Sequence, residues 1–159
     1  MAYIVDGNNV MGQTPGWHRD REGARRRLVE ELAEFARIKK ARVTVVFDGE
    51  PDRIMPDSSA YRGVRVLYAE RGSDADTRIE RLVDSSADRR GITVVTSDRA
   101  LAALVRGRGA CVVRSGEFRR RMREAGPSGP ALEDGEEPDI GDLNAWLRYF
   151  GAYEGEDDD

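Results

Sequence analysis

Five short apolar runs punctuate this chain, and the stretches between them carry apolar residues at every third or fourth position. The runs are Tyr3–Val5, Arg42–Phe47, Val64–Tyr68, Ile92–Thr96 and Cys111–Val113. They are β-branched, only a few residues long and bounded by polar or glycine positions, which predicts buried strands. Between them, Leu28, Leu32, Phe35 and Ala36 predict a helix from Glu22 to about Ala41. Ile79, Leu82, Val83 and Ala87 predict a second, opened by Ser73 with a capping-box-like Asp76 and stopped at Gly91. A third helix, 99–106, is capped by Ser97 or Asp98 and closed by Gly107; a fourth, 116–124, follows Ser115. Gly7 reads as a tight turn after the first strand, and Met11–Asp20 as a loop punctuated by Gly12, Pro15 and Gly16. Strands alternating with helices imply right-handed crossovers between parallel strands. The expected fold is a three-layer α/β/α sandwich with a mainly parallel sheet of about five strands, the first of them central.

The pattern changes after residue 125. Residues 126–139 are Gly, Pro, Ser and acids, a linker by composition. Asp142 then caps a short amphipathic helix, about 142–150, with Leu143, Trp146, Leu147 and Phe150 at i, i+3, i+4 and i+7. The domain expectation is therefore 1–125 for the folded body and 126–159 for an acidic linker and tail. The acidic flanks favour packing back on the body over a membrane surface.

Composition adds a charge asymmetry. The 159 residues carry a net −4, but residues 133–159 hold eleven Asp/Glu and one Arg, a net −10, leaving +6 on residues 1–132. A basic body is compatible with a polyanionic partner; a solvated Arg-rich surface explains the same count, since 24 of the 26 basic residues are Arg. The acidic tail either competes with such a partner or simply solubilises the chain. No apolar run approaches the ~20 residues that span a bilayer, and no basic-then-apolar leader opens the sequence. The expected location is the cytoplasm, with no membrane partner. The single cysteine, Cys111, excludes an intrachain disulfide and reads as a packed thiol. The single histidine, His18, reads as a surface loop residue and excludes a histidine-based metal cluster.

The candidate chemistry is carboxylate chemistry. Three predicted strands end on acids, at Asp6, Asp48 and Asp98, and the carboxyl ends of parallel strands share one edge. Asp74 and Asp76 open the second helix at that edge, and Glu80 lies one turn beyond Asp76. Taken singly, each of Asp6, Asp74 and Asp98 is as well explained as a helix cap, and Asp48-Gly49 as a turn. Taken together, acids from four segments suit a hard cation such as Mg2+ or Mn2+. There is no phosphate-binding G-x-x-x-x-G-K-[ST] loop, no G-x-S-x-G elbow and no G-x-G-x-x-G turn. Asp6-Gly7-Asn8 lacks the second aspartate of a haloacid-dehalogenase nucleophile, and the fifth strand ends on Arg114 where a receiver domain needs lysine.

Val5-Asp6-Gly7-Asn8-Asn9, Val46-Phe47-Asp48, the segment from Ser73 to Leu82 and Thr96-Ser97-Asp98, in this order and spacing, resemble the YacP-like NYN domain, a branch of the PIN-like nucleases. The resemblance covers about residues 2–125. It implies a PIN-like fold and a metal-dependent ribonuclease, with Asp6, Asp76 and Asp98 as the main metal-binding acids. Asn8 and Ser97 would be polar supports and Glu80 a further acid; Asp74 and Asp48 rank lower. It also implies an association with translating ribosomes and messenger RNA. Arg78, Arg99, Arg119, Arg120 and Arg123 are the candidates for holding RNA phosphates, and single-stranded or unpaired RNA is the expected substrate. The expected reaction is endonucleolytic hydrolysis of the phosphodiester bond. The competing readings are an RNA- or ribosome-binding module with a vestigial acid site, and a PIN-type toxin.

Overall fold

Six strands form one sheet in a computed structural model of the protein, which describes residues 1–125. The expected linker and the short helix near 142–150 lie outside the described residues. The strands are β1 (Ala2–Asp6), β2 (Arg42–Phe47), β3 (Ser59–Tyr61), β4 (Val64–Tyr68), β5 (Ile92–Val95) and β6 (Cys111–Val113), in the order β3-β4-β2-β1-β5-β6. All neighbours pair in parallel except β3 and β4. The first strand is central, as its unbroken burial from Tyr3 to Asp6 requires.

Among the described residues, five α-helices cover the sheet: α1 (Gly7–Met11), α2 (Arg21–Lys39), α3 (Ala75–Asp84), α4 (Arg99–Gly107) and α5 (Ser115–Ala125). The alternation of side chains along each strand feeds two cores. Tyr3, Val5, Val45 and Phe47 face α1, α2 and α5, while Ile4, Val46 and Val94 face α3 and α4. Tyr3, Phe35 and Phe118 pack edge to face or tilted, at 5.0 to 5.7 Å between ring centroids, and tie β1, α2 and α5 together. Strands leave β1 towards β2 on one side and β5 leads to β6 on the other, with the connecting helices on opposite faces. A crevice therefore opens at the carboxyl ends of β1 and β5, where such sheets bind ligands.

Five expectations need correction. The sheet has six strands, not about five, because the short edge strand β3 adds antiparallel to β4. The segment read as a turn and a loop begins with the helix α1, and a 3-10 turn follows at Trp17–Arg19. The second helix ends at Asp84, not near Arg90: the Ser85 hydroxyl donates back to the Leu82 carbonyl at 3.1 Å, the chain leaves the helix, and Ala87 is exposed. Its cap is Asp74, which accepts from the Thr77 amide at 2.9 Å, not Ser73. Cys111 is exposed, because β6 is an edge strand that packs on one neighbour only. No helix among the described residues is long and apolar enough to cross a membrane.

Candidate active site

Asp6 ends β1 and precedes α1, at 5% exposure. A carboxylate so placed loses water, and its pKa is pushed up to about 7, first by burial and then by the nearby Asp76 and Asp48 charges. The Thr96 hydroxyl donates to Asp6 Oδ2 at 3.0 Å and the Asn9 amide also faces the carboxyl; both pull the other way and are outweighed. Asp76 sits in the first turn of α3, half-buried. Its pKa is pushed up to about 6 by burial, then by Asp98, Asp74 and Asp48. Asp6, Asp48, Asp76 and Asp98 are thus one electrostatic unit, drawn from the ends of β1, β2 and β5 and the start of α3.

Each of these acids is steered by a neighbour. Asp48 Oδ1 accepts from the Ala75 amide at 2.8 Å, which fixes the start of α3 against the end of β2. Asp98 Oδ1 caps α4, accepting from the Ala100 and Leu101 amides at 2.9 and 3.1 Å. The frame beneath them is made of uncharged polar groups. Thr96, 1% exposed, donates to Asp6 and accepts the Asp98 amide at 3.1 Å, so one hydroxyl bridges two of the acids. Asn8 Oδ1 accepts the Asp48 amide at 3.0 Å. Asn9 Oδ1 accepts both the Ser97 amide at 2.8 Å and the Ser115 hydroxyl at 2.5 Å, and Ser97 Oγ accepts the Ser115 amide at 3.0 Å.

The remaining sequence candidates are distributed differently. Asp74 is exposed and turned to its capping role, with the Thr77 amide and hydroxyl holding its pKa below the usual carboxylate range. Glu80 pairs with Arg108 at 2.7 Å, and Arg108 also grips Asp84 at 2.6 Å. Arg78 donates to the Tyr68 carbonyl at 2.5 Å, and Arg119 bridges Glu31 at 2.5 Å and Thr14 at 3.2 Å, so both guanidiniums brace the body. Arg120 is exposed and pairs with Glu117. Arg99, one residue from Asp98, and Arg123 are exposed. Thr96 and Asn9 were not singled out as supports in the sequence, where Thr96 reads as the last residue of an apolar strand.

Arg25 positions the Asp48 loop. It is 7% exposed, stacks on the Phe47 and Tyr68 rings, and donates to the Asp48 and Glu50 carbonyls at 2.6 and 2.9 Å. Replacing Arg25 by Leu strands both carbonyls. The expected loss is about 1.5–3 kcal/mol per charged hydrogen bond removed, read as a lower urea midpoint; an unchanged midpoint would show the loop is held by other contacts.

The donor set fits a hard divalent cation: four carboxylates and neighbouring amide and hydroxyl oxygens, without His or Cys. Burial first, and their mutual charge second, raise the pKa of Asp6 and of Asp76, a cost that a cation offsets. Among the described residues, no three acidic, His or Cys side chains already stand together at metal-holding geometry. The fit therefore rests on donor chemistry and charge.

The profile of the YacP-like NYN domain family matches residues 3–131. The chain is 30% identical over 112 residues to YacP of Bacillus subtilis (strain 168), covering 67% of this chain and 66% of that protein, just under two thirds of its length. Two crystal structures of Rae1 (YacP) from Bacillus subtilis share the fold. One superposes with TM-score 0.68 at 27% identity over 79% of this chain and 75% of that one. The other, a tryptophan-to-leucine mutant, gives 0.66 at 28% over 78% and 76%. The chain belongs to the YacP-like NYN domain family.

Proposed function

We propose that the protein is a metal-dependent endoribonuclease acting on single-stranded or unpaired RNA, with Mg2+ or Mn2+ held by Asp6, Asp76 and Asp98 and with Asp48 beside them. The observation that carries this reading is the convergence of these carboxylates in one crevice, where burial first and their mutual charge second raise the pKa of Asp6 to about 7 and of Asp76 to about 6. When bound, a divalent ion supplies positive charge to offset the acids, activates water, and stabilises in-line displacement at phosphorus.

The chain's own residues do the rest. Thr96 sets the separation of Asp6 from Asp98 by bonding to both. Asn8 and Asp48 lock the end of β2 to α1 and α3, so the acid of α3 arrives in register with those of the strands. Arg99 is placed to hold a phosphate next to the one cleaved, and Arg120 and Arg123 can extend that track along α5. Unpaired RNA suits this open edge because a duplex hides its bases in a groove too narrow for side chains. A ribosomal partner and a cytoplasmic location rest on the family resemblance and the expected solubility.

The test is cleavage of unstructured RNA by the full chain across a Mn2+ titration, with Asp76→Asn and Asp98→Asn as variants. Asn caps a helix as well as Asp, so Asp98→Asn should keep α4 intact. Cleavage that requires the divalent ion and is lost in both variants supports the reading. Equal cleavage in chelator, or undiminished cleavage by folded variants, ends it. Salt-sensitive RNA binding without divalent-dependent cleavage would instead mark a binding module, which the +6 charge of residues 1–132 would also serve.

A further inference from the structure

Three planar side chains meet where α1 gives way to α2. The Arg21 guanidinium lies over the Trp17 ring, 5.7 Å from its centroid, and the His18 ring meets the same indole edge-on at 6.2 Å. Trp17 is half-buried and backed by the core, while His18 and Arg21 are exposed. The stretch is held in place. The Trp17 amide donates to the Thr14 carbonyl at 3.3 Å, and Thr14 Oγ1 accepts from Arg119 of α5 at 3.2 Å. Asp20 caps α2 by accepting from the Gly23 amide at 3.0 Å. The geometry points to a stacking subsite for one unpaired base, formed by Arg21 and His18 on the Trp17 support, a proposal that rests on RNA being the ligand of the acid crevice.

The cluster stands on the same edge of the sheet as the acids. α2 carries the chain from the carboxyl end of β1 back to the amino end of the parallel strand β2, so its first turn lies at the carboxyl edge. Arg21 and Arg25 are one helical turn apart, about 6 Å, and Arg25 reaches the Asp48 carbonyl at 2.6 Å. From the other side, α1 alone separates Asp6 from the loop, and the Trp17 indole nitrogen is 4.0 Å from where a Cβ on Gly12 would stand. The chemistry favours a base. Unpaired bases stack on aromatic rings and on guanidinium planes, and do so whatever their sequence, because every base has a π face. A phosphate would need only charge, which the exposed Arg19 and Arg21 supply without the rings. The indole holds the planar Arg21 head in place before a base arrives. The neighbouring acids are engaged elsewhere, Asp20 in its cap and Glu22 with Arg26 at 3.6 Å. A duplex keeps its base faces inside its own stack, so this subsite, more than the acids, selects unpaired RNA.

The test measures binding of the full chain to short oligoadenylate and oligouridylate at pH 8 in chelator, where the strands stay intact. Arg21→Lys combined with His18→Ala removes both planes, keeps the charge at position 21, and touches only exposed residues. Adenine stacks more strongly than uracil. The variant should therefore bind oligoadenylate about tenfold more weakly and oligouridylate with a smaller loss, since stacking strength sets such preferences. The slope of log affinity against log salt should stay the same, because the phosphate contacts are untouched. The stacking within each free strand cancels between variant and unmodified chain. His18 is the single histidine of the chain, so its ring protons give one set of signals, which oligoadenylate should move upfield. Equal weakening of both strands, no weakening, or His18 signals unmoved at saturating oligoadenylate overturns the inference; so does an unmodified chain that binds neither strand. Cleavage is read separately. Mn2+-dependent cleavage with His18 unmoved refutes the subsite and spares the nuclease reading, while a stacked base without cleavage does the reverse.

Discussion

Asp6→Asn is expected to abolish RNA cleavage and, at the same time, to stabilise the metal-free fold at pH 8. The two effects share one cause. Asp6 is buried among other carboxylates, where its charge costs the fold stability and, on the proposed reading, serves the metal. Asparagine keeps the shape and can still accept from the Thr96 hydroxyl, which donates to Asp6 at 3.0 Å, but it carries no charge. Changing a group that merely orients a metal ligand costs about 10–100-fold in affinity or activity; removing the ligand itself should reach the upper end or pass it. Cleavage under Mn2+ should therefore fall by at least about 100-fold. The melting temperature without metal should rise, by roughly 2–4 °C for each kcal/mol recovered. A folded variant that still cleaves would refute the role, and a lower melting temperature would show that the Asp6 charge is not a burden.

The pH dependence has a definite sign. The folded pKa of Asp6, about 7, lies above the ordinary value of 3.8, so between those values the folded chain holds a proton that the unfolded chain has released. The stability from this group is full below about pH 4 and is lost as pH rises through 7. Asp76, raised to about 6, acts in the same direction over a narrower window. Metal-free protein should thus lose stability from pH 4 to 7, by an amount on the order of a few kcal/mol. Asp6→Asn should flatten the curve, leaving the share of Asp76. Mn2+ should restore stability above pH 7 in the unmodified chain by mass action and do so less in the variant. Thermal melts across pH, with chelator and with Mn2+, separate these cases.

The sheet was legible because its strands are buried on both faces, and such strands show as continuous apolar runs. β3 did not show, since Ser59–Tyr61 is a short edge strand of mixed polarity. α1 did not show either, because Gly7, Asn8, Asn9 and Gly12 are turn formers by local preference. Its helix is held from outside, by Asn8 on the Asp48 amide, Asn9 on Ser97 and Ser115, and the burial of Val10 and Met11. The convergence of acids could be anticipated from the ends of parallel strands. Which oxygen each acid keeps free could not, because that depends on amides brought from other segments, as with Ala75 on Asp48. The arginines were the least legible. Arg78 and Arg119 differ from Arg99 not in sequence context but in where the fold sends a long side chain.

Gly7 gives the second large effect, and it revises the reason for a glycine at this position. The sequence reads it as a turn residue, yet it begins a helix, and its φ is not positive. What it provides is space. A Cβ on Gly7 would stand 2.4 and 2.5 Å from two atoms of the Phe47 ring and 3.0 Å from a Val45 methyl. Phe47 is fully buried, and its ring lies under the Arg25 guanidinium, so it has no open direction in which to retreat. Gly7→Ala should destabilise the fold by about 1–3 kcal/mol, the usual cost of overpacking a tight core, even though alanine is the better helix former by about 1 kcal/mol. The strain falls between Asp6 and Asn8, so the acid and the bond to Asp48 move with it. Activity should drop along with the urea midpoint, and Phe47→Leu in the same chain should recover part of both by vacating the ring's place. If Gly7→Ala instead raises stability, helix propensity outweighs the clash and the close approach of β2 to α1 is not what selects glycine.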